Sequence, residues 1–233
     1  MNKNYKKSYK ATEKELVSLS VYNVGIQLCD PLHQWGPGIR DHYLIHYIIS
    51  GMGYYKTGRK LYELHAGDTF LVYPNTEVLY YAAEQDPWEY AWVGFSGSDA
   101  SMILTATDFT PEKPFITATP LGEDIHRQIL HIYDARGNEF EHAVEMTGRL
   151  YTMLAMFLHG AAHSTTRNSA NSYVQKGIEY ISSNYSYAIT VEDIADYVGV
   201  SRSHLFRSFE TVLGQSPKEY LTDFRMKQAC YLL

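Results

Sequence analysis

Residues 190–209 constrain the fold of this chain more than any other stretch, because their pattern predicts two short helices joined by a tight turn. Ile194 and Val198 recur at helical spacing behind Thr190, a residue type that caps helix N-termini. Gly199 follows directly, and glycine is the residue most free to end a helix with a positive φ. Such a pair is typical of a helix-turn-helix, in which the second helix enters the major groove of DNA.

The second helix of this pair is predicted to begin after Ser201, a further capping residue. Leu205 and Phe209 mark its buried side at a four-residue step, so the residues between them face outward, where a recognition helix meets bases. A helical hairpin with solvated polar residues stays open as the alternative. The residues predicted to contact DNA are Arg202, Ser203, Phe206, Arg207 and, from the next helix, Lys218.

A third helix is predicted after Ser216, because Pro217 suits the first helical position and Glu219 can complete a capping box. With this addition, the last quarter of the chain resembles the first DNA-binding unit of the AraC family of bacterial transcription regulators. The residues that carry the resemblance are Ile194, Ala195, Val200, Ser201, Leu205, Phe209, Gly214, Gln215, Ser216, Pro217, Tyr220, Leu221 and Arg225. It implies operator DNA as a partner, with RNA polymerase as a further one.

The resemblance also implies a second helix-turn-helix unit at the end of a long connecting helix. Only the first unit is present here, so we expect a shortened chain. On that expectation, Leu221, Phe224 and Leu232 lack the neighbour that would cover them.

The chain has 233 residues, enough for two compact domains, and a net charge of −6. That charge argues against a protein that coats nucleic acid without sequence preference, but it leaves a sequence-specific reader open. No segment approaches the run of about 18 apolar residues of a membrane helix, and the N-terminus lacks the apolar region of a signal peptide. We therefore expect a cytoplasmic protein without a membrane partner, in which Cys29 and Cys230 stay reduced.

Changes in apolar periodicity divide the chain into five segments. Residues 1–15 hold five lysines and no period, which predicts a mobile basic arm. Residues 16–120 have the texture of strands, residues 121–158 that of two helices, and residues 159–171 are small and polar like a linker. Residues 172–233 form the helix-turn-helix unit and the start of the connecting helix. The predicted fold class is α+β, with an antiparallel barrel followed by an all-α domain.

Strands are predicted at residues 17–29, 43–49, 53–57, 60–64, 69–73, 78–82 and 90–95, and their regular spacing favours a small antiparallel barrel or sandwich. Gly51, Gly53, the turn at residues 64–68 and Pro74 resemble a cupin barrel. Together with residues 87–95, the segment is similar to the effector-binding domain of sugar-responsive AraC-type regulators. The resemblance implies a small carbohydrate as the ligand.

Two helices are predicted after the barrel, at residues 123–133 and from residue 139 onward. An apolar stripe at three- and four-residue steps along the second predicts packing against the barrel. The family resemblance implies that these helices also pair two subunits, so we expect a homodimer. The stripe consists of Phe140, Val144, Thr147, Tyr151, Leu154 and Leu158.

A cupin enzyme, either an isomerase or a dioxygenase with a helical tail, is the alternative from another class. Metal-binding cupins use a His-x-His pair, which is absent from the sequence, and Leu79 stands where a later histidine ligand would fall. His42 and His46 share a strand face but lie about 13 Å apart along it, too far to bind one ion. No nucleophile motif is present either. We therefore expect no catalysis, no metal and no cofactor.

The barrel contains all three tryptophans and many tyrosines, and flat rings with polar edges suit the face of a sugar. The family resemblance implies pocket positions at Tyr80, Tyr90 and Trp92. Further candidates near the expected pocket are Arg40, Gln27, His33 and Trp35. We expect an uncharged mono- or oligosaccharide, because Arg40 is the only strong cation that the sequence places there. The stretch before the strand at residue 43 resembles regulators of multiple-sugar or α-galactoside uptake more than arabinose receptors.

Overall fold

The computed structural model describes residues 4–11, 16–161 and 168–232, and it divides into two compact units between Ala161 and Ala162. The predicted linker overlaps this division, although residues 162–167 lie outside the described residues and helix α4 already begins at Asn168. Within the described residues, none of the helices is both long and apolar enough to cross a membrane.

The first unit contains ten strands and three helices within the described residues. The strands are β1 (Lys6–Lys10), β2 (Ser20–Leu28), β3 (Gln34–Ile39), β4 (Tyr43–Ser50), β5 (Met52–Thr57), β6 (Lys60–His65), β7 (Thr69–Val72), β8 (Glu77–Ala82), β9 (Glu89–Ser96) and β10 (Phe115–Ile116). The helices are α1 (Ser98–Thr105), α2 (Gly122–Asp134) and α3 (Phe140–His159).

The strands form two antiparallel sheets, one in the order β1-β2-β9-β4-β7-β10 and one in the order β3-β8-β5-β6. Alternation along each strand sends one set of side chains between the sheets. That inner core includes Ile48, Tyr55, Phe70 and Trp88, all fully buried. The predicted antiparallel barrel is therefore confirmed as the fold of this unit.

The opposite face of the six-stranded sheet is covered by α2 and α3. Val93 and Phe95 of β9 are buried there against Ile129 of α2 and Leu150 of α3. This second core explains why α3 is long and amphipathic, since one side of it must cover a sheet face. The predicted pair of helices after the barrel is present at nearly the predicted bounds.

Two segments that the sequence did not predict as strands pair with the barrel. Lys6–Lys10, predicted as part of a mobile arm, is an edge strand that hydrogen-bonds to β2. Gln34–Ile39, predicted as a loop, pairs with β8 through an irregular register that accommodates its glycines and Pro37. Neither segment shows the alternation of apolar residues on which strand prediction depends. Helix α1 was also not predicted.

The apolar stripe of α3 does not pack against the barrel as predicted. Its buried side consists of Met146, Thr147, Leu150, Met153, Leu154 and Phe157. Of the predicted stripe, only Thr147 and Leu154 belong to that side, while Phe140, Val144, Tyr151 and Leu158 are exposed. The prediction was wrong because α3 has two adjacent apolar faces, one buried and one exposed. The predicted stripe took residues from both of them.

The second unit is all-α, with α4 (Asn168–Asn184), α5 (Val191–Val198), α6 (Arg202–Leu213) and α7 (Pro217–Leu232). Thr190 and Asp193 form the predicted capping box, and Gly199 ends α5 with a φ of 80°. Ser201 caps α6, and Ser216 and Glu219 form a second capping box at α7. Local chemistry thus fixes the starts of α5, α6 and α7 and the turn between α5 and α6.

The core of this unit is formed by Val174, Ile194, Leu205, Phe209 and Leu221. Leu221 is buried, and Phe224 packs against Tyr185 with 5.4 Å between ring centroids. The expectation that these two side chains lack a cover was therefore wrong, because α4 and the residues after it cover them. The side chain of Leu232 lies outside the described part.

Candidate functional site

A cavity of about 280 Å³ opens beside the inner core of the barrel unit. All seven residues that the sequence proposes for ligand binding line it: Gln27, His33, Trp35, Arg40, Tyr80, Tyr90 and Trp92. The described residues of the cavity wall that sequence reasoning missed are Lys6, Ser8, Tyr9, Lys10, Asn23, Leu44 and His46. The structure thus brings together residues of β1, β2, β3, β4, β8 and β9, and the role of the seven in binding stays a prediction.

One wall of the cavity is a stack formed by Trp35, Arg40 and Tyr80. Trp35 and Tyr80 are partners across β3 and β8, and their rings stack with 5.4 Å between centroids. The guanidinium carbon of Arg40 lies 3.8 Å from the centroid of the Trp35 ring, and its Nη2 donates to the Tyr80 hydroxyl at 3.0 Å. Burial raises the pKa of Tyr80 and Arg40 partly offsets the rise, so Tyr80 remains a neutral phenol.

His46 lies on β4, with its imidazole against the aromatic rings of the cavity. Its ring stacks on Phe70 with 4.4 Å between centroids and meets the edge of Tyr90 at 5.0 Å. Burial, and next the positive charge of Arg40, hold the pKa of His46 well below its ordinary value. The imidazole is therefore neutral at physiological pH and acts as one hydrogen-bond donor and one acceptor.

Tyr90 and Trp92 lie on the same face of β9, as the sequence predicted from their spacing. Their rings meet edge to face at 5.8 Å. Gly25 is the cross-strand partner of Trp92, and a Cβ at Gly25 would fall 2.5 Å from the Trp92 ring. Glycine at this position therefore gives the indole the room to lie across β2.

Three buried polar atoms of the cavity wall have no hydrogen-bond partner among the described residues. They are Asn23 Oδ1, Arg40 Nε and His46 Nδ1. The other end of the Asn23 amide lies 3.4 Å from His42 Nε2, which orients it. A buried polar atom without a partner costs roughly 1–3 kcal/mol, so a ligand that supplied partners would gain affinity.

Among its described residues, the cavity wall carries three cations rather than the single one expected from the sequence. Lys6 Nζ lies 5.6 Å from the centroid of the Trp92 ring, and Lys10 Nζ lies 5.1 Å from that of Tyr22. Sequence reasoning missed both lysines because it placed them in a mobile arm. An uncharged ligand was expected because Arg40 was taken as the single cation of the pocket, and the two lysines remove that reason.

The five residues proposed for DNA contact lie together on the second unit. Arg202, Ser203, Phe206 and Arg207 are exposed on α6, and Lys218 is exposed in the first turn of α7. All five border one shallow groove. Arg202 lies 3.5 Å from the Glu192 carboxylate, and Arg207 Nε donates to the Ser203 carbonyl at 3.3 Å. Their contact with DNA stays a prediction.

A barrel with a lined cavity and a separate helix-turn-helix unit define the class of protein: a transcription regulator with its own ligand-binding domain. Residues 20–154 match the model of the AraC-like ligand binding domain. Residues 181–222 match that of the bacterial regulatory helix-turn-helix proteins of the AraC family. The chain belongs to the AraC family of bacterial transcription regulators.

Three similar relatives carry names of operon regulators. The Msm operon regulatory protein of Streptococcus mutans is 34% identical over 220 residues, covering 92% of this chain and 78% of that protein. The lactose operon transcription activator of Staphylococcus xylosus is 29% identical, covering 97% and 82%. The raffinose operon transcriptional regulatory protein of Pediococcus pentosaceus is 26% identical, covering 95% and 82%. These matches favour the regulator over the cupin enzyme.

Proposed function

We propose that this protein regulates a sugar-utilisation operon by binding a sugar in the cavity of its barrel. Two of the relatives are named for the lactose and raffinose operons, and the third is likewise an operon regulator. The cavity volume of 280 Å³ lies just below the range of about 300–1,000 Å³ usual for ligand pockets. It therefore favours a mono- or disaccharide over a longer oligosaccharide.

The observation that carries this proposal is the combination of flat rings and unsatisfied polar atoms in one cavity wall. Trp35 and Trp92 line the cavity with flat rings, the kind of side chain against which the C–H face of a sugar packs. Arg40 Nε is a donor, Asn23 Oδ1 is an acceptor, and neutral His46 supplies either role. A hydroxyl group both donates and accepts, so a polyhydroxylated ligand can satisfy all three atoms at once.

The second unit supplies the DNA contacts in this proposal. By position on α6, Ser203 and Arg207 face base edges and Phe206 contacts a thymine methyl, whereas Arg202 lies nearer the phosphates. Lys218 adds a phosphate contact from the start of α7. Because the unit holds six Lys and Arg against seven Asp and Glu from residue 172 onward, its non-specific affinity for phosphate should be modest.

We also propose that the protein acts as a homodimer through the exposed face of α3. Phe140, Val144, Tyr151 and Leu158 lie on one side of the helix, within about 40° of one another at 100° per residue, and all four are exposed. A second copy that presents the same face would cover them. We further propose RNA polymerase as a partner of the DNA-bound regulator.

The test is a thermal-shift screen of the full chain with raffinose, melibiose, lactose and their component monosaccharides, each also offered as a phosphate or uronate where one exists. A sugar at a hundredfold excess over Kd should raise stability by about 2.7 kcal/mol. The same sugar should change the anisotropy of a fluorescent operator fragment bound to the protein. If none of the neutral sugars and none of their phosphates or uronates shifts the midpoint of thermal unfolding, the sugar proposal fails.

A further inference from the structure

The charge of the cavity wall is one-sided. Its described residues include three cations, Lys6, Lys10 and Arg40, and none of them is an aspartate or glutamate. The whole chain, in contrast, carries 26 acidic residues against 20 Lys and Arg. In a concave site, clustered charges of one sign reinforce each other and attract a ligand group of the opposite sign.

The two lysines reach the cavity through the alternation of β1. Lys6 and Lys10 pair with Gln27 and Asn23 of β2, which also line the cavity. Lys7, between them, points to the other face of the strand. It lines a separate hollow, together with its partner Ile26 and with Leu130 of α2. Alternation along β1 thus places Lys6 and Lys10 at the cavity and Lys7 on the opposite face of the strand.

Arg40 is the most enclosed of the three cations. Its Nη2 donates to Tyr80 and its guanidinium lies over Trp35, yet no carboxylate within the described residues forms an ion pair with it. Lys6 and Lys10 likewise form no ion pair within the described residues. Guanidinium and ammonium groups are the usual partners of phosphate and carboxylate in proteins. The wall therefore presents positive charge that the described residues leave unpaired.

We propose that the effector carries an acidic group, a phosphate or a carboxylate, which Arg40, Lys6 and Lys10 bind while the aromatic rings hold the rest of the molecule. This inference rests on the proposed sugar-binding function and narrows it to an acidic sugar. The phosphate and the carboxylate share the same recognition chemistry, and the test below separates them.

The test compares matched pairs on the full chain: lactose with lactose 6′-phosphate, galactose with galactose 6-phosphate and with galacturonate, and inorganic phosphate alone. Isothermal titration gives the affinity of each at low and at physiological salt. The acidic member of a pair should bind at least tenfold more tightly than the neutral one, and the preference should shrink as salt rises. The acidic group is identified by which form, the phosphate or the uronate, gains more affinity over the neutral sugar.

The variants Lys6→Ala/Lys10→Ala and Lys7→Ala form the matched comparison. All three lysines are exposed on β1, so neither variant should change the midpoint of the unliganded protein much. In the double variant, the ratio of affinities for the acidic and the neutral sugar should fall several-fold. In Lys7→Ala, this ratio should stay as in the native chain. A preference that is unchanged in the double variant, or lost equally in Lys7→Ala, would overturn the inference.

The outcomes separate this inference from the function on which it rests. If neutral sugars bind as tightly as their acidic counterparts, the cavity is a sugar site and the inference of an acidic group is wrong. If inorganic phosphate binds as tightly as every sugar phosphate, the sugar adds nothing and the proposed function itself fails.

Discussion

Arg40 lies over the ring of Trp35, with its guanidinium carbon 3.8 Å from the ring centroid. Because a planar guanidinium stacks on a ring while it donates hydrogen bonds in its own plane, lysine cannot reproduce this arrangement. We expect Arg40→Lys to weaken effector binding about tenfold or more, although the charge is kept. Isothermal titration measures the change, and Arg59→Lys, an exposed arginine in the β5–β6 turn, is the control. Equal affinities in both variants would show that the stack does not contribute to the site.

Trp92 should be required for the response to the effector but not for DNA binding, because the two sites lie in different units. Trp92→Ala should abolish the ligand-induced stabilisation, about 2.7 kcal/mol at a hundredfold excess over Kd in the native chain. Removal of a buried indole also lowers the stability of the unliganded protein by roughly 3–5 kcal/mol. Each variant is therefore compared with its own unliganded state, and Trp92→Phe, which keeps a ring, should retain part of the response. A full response in Trp92→Ala would place the ligand elsewhere.

Two arginines of α6 should differ in how they affect DNA binding. Arg207→Ala should cost about 1–3 kcal/mol and relax the preference at one base pair, since a base-edge contact is lost. Arg202→Ala should weaken all sequences alike, since phosphate contacts carry no sequence information. Binding to a library of single-base operator variants distinguishes the two patterns. Equal, sequence-independent losses for both would mean that α6 lies differently in the groove.

The capping box at α5 should stabilise the helix-turn-helix unit. Thr190 Oγ1 accepts from the backbone N–H of Asp193 at 3.2 Å, and Asp193 in turn accepts from Thr190 N at 2.7 Å. Thr190→Ala should lower the free energy of unfolding of this unit by about 1 kcal/mol, and Thr190→Ser should restore most of it. Urea denaturation followed by circular dichroism measures both.

The same capping box gives a pH dependence of defined sign. Hydrogen bonds from the Thr190 side chain, and next from its backbone, lower the pKa of Asp193 below its ordinary value of 3.8. The ionised Asp193 carboxylate therefore contributes its full stabilisation at pH values above its ordinary pKa. That contribution is lost as the pH falls through the lower pKa of the folded state. The destabilisation caused by Thr190→Ala should shrink in that acidic range. A difference between the two proteins that stays constant down to pH 2 would contradict this account.

The exposed stripe of α3 should determine the oligomeric state if it joins two copies. Val144→Glu places a charge in the middle of the stripe and should shift the protein from dimer to monomer in sedimentation equilibrium. Thr152→Glu, on an exposed part of the same helix away from the stripe, should leave the dimer intact. A native chain that is monomeric at micromolar concentration would exclude this interface.

The helix-turn-helix unit could be predicted almost completely from the sequence because its signals are local. Thr190, Gly199, Ser201 and Pro217 each act on backbone within a few residues of themselves, and all four have the predicted positions. The strands with apolar alternation were predicted for the same reason.

The cavity was harder to predict because part of its wall comes from β1 and β3, which lack that alternation. Lys6 and Lys10 belong to a strand whose inner face is polar, so β1 resembles a solvated arm in sequence. From the sequence, His46 was considered only as a metal ligand. Its place in the cavity wall depends on packing against Phe70 of β7, 24 residues further along the chain. Such pairings across the barrel have no local signal.

A crystal structure of the full chain with the tightest-binding sugar or acidic sugar from the screen tests most directly whether the barrel cavity binds the effector. We predict electron density for one ligand per chain in the barrel cavity, with hydrogen bonds to Arg40 and ring contact with Trp92. Density for the ligand at another position, with only water beside Arg40, would contradict it.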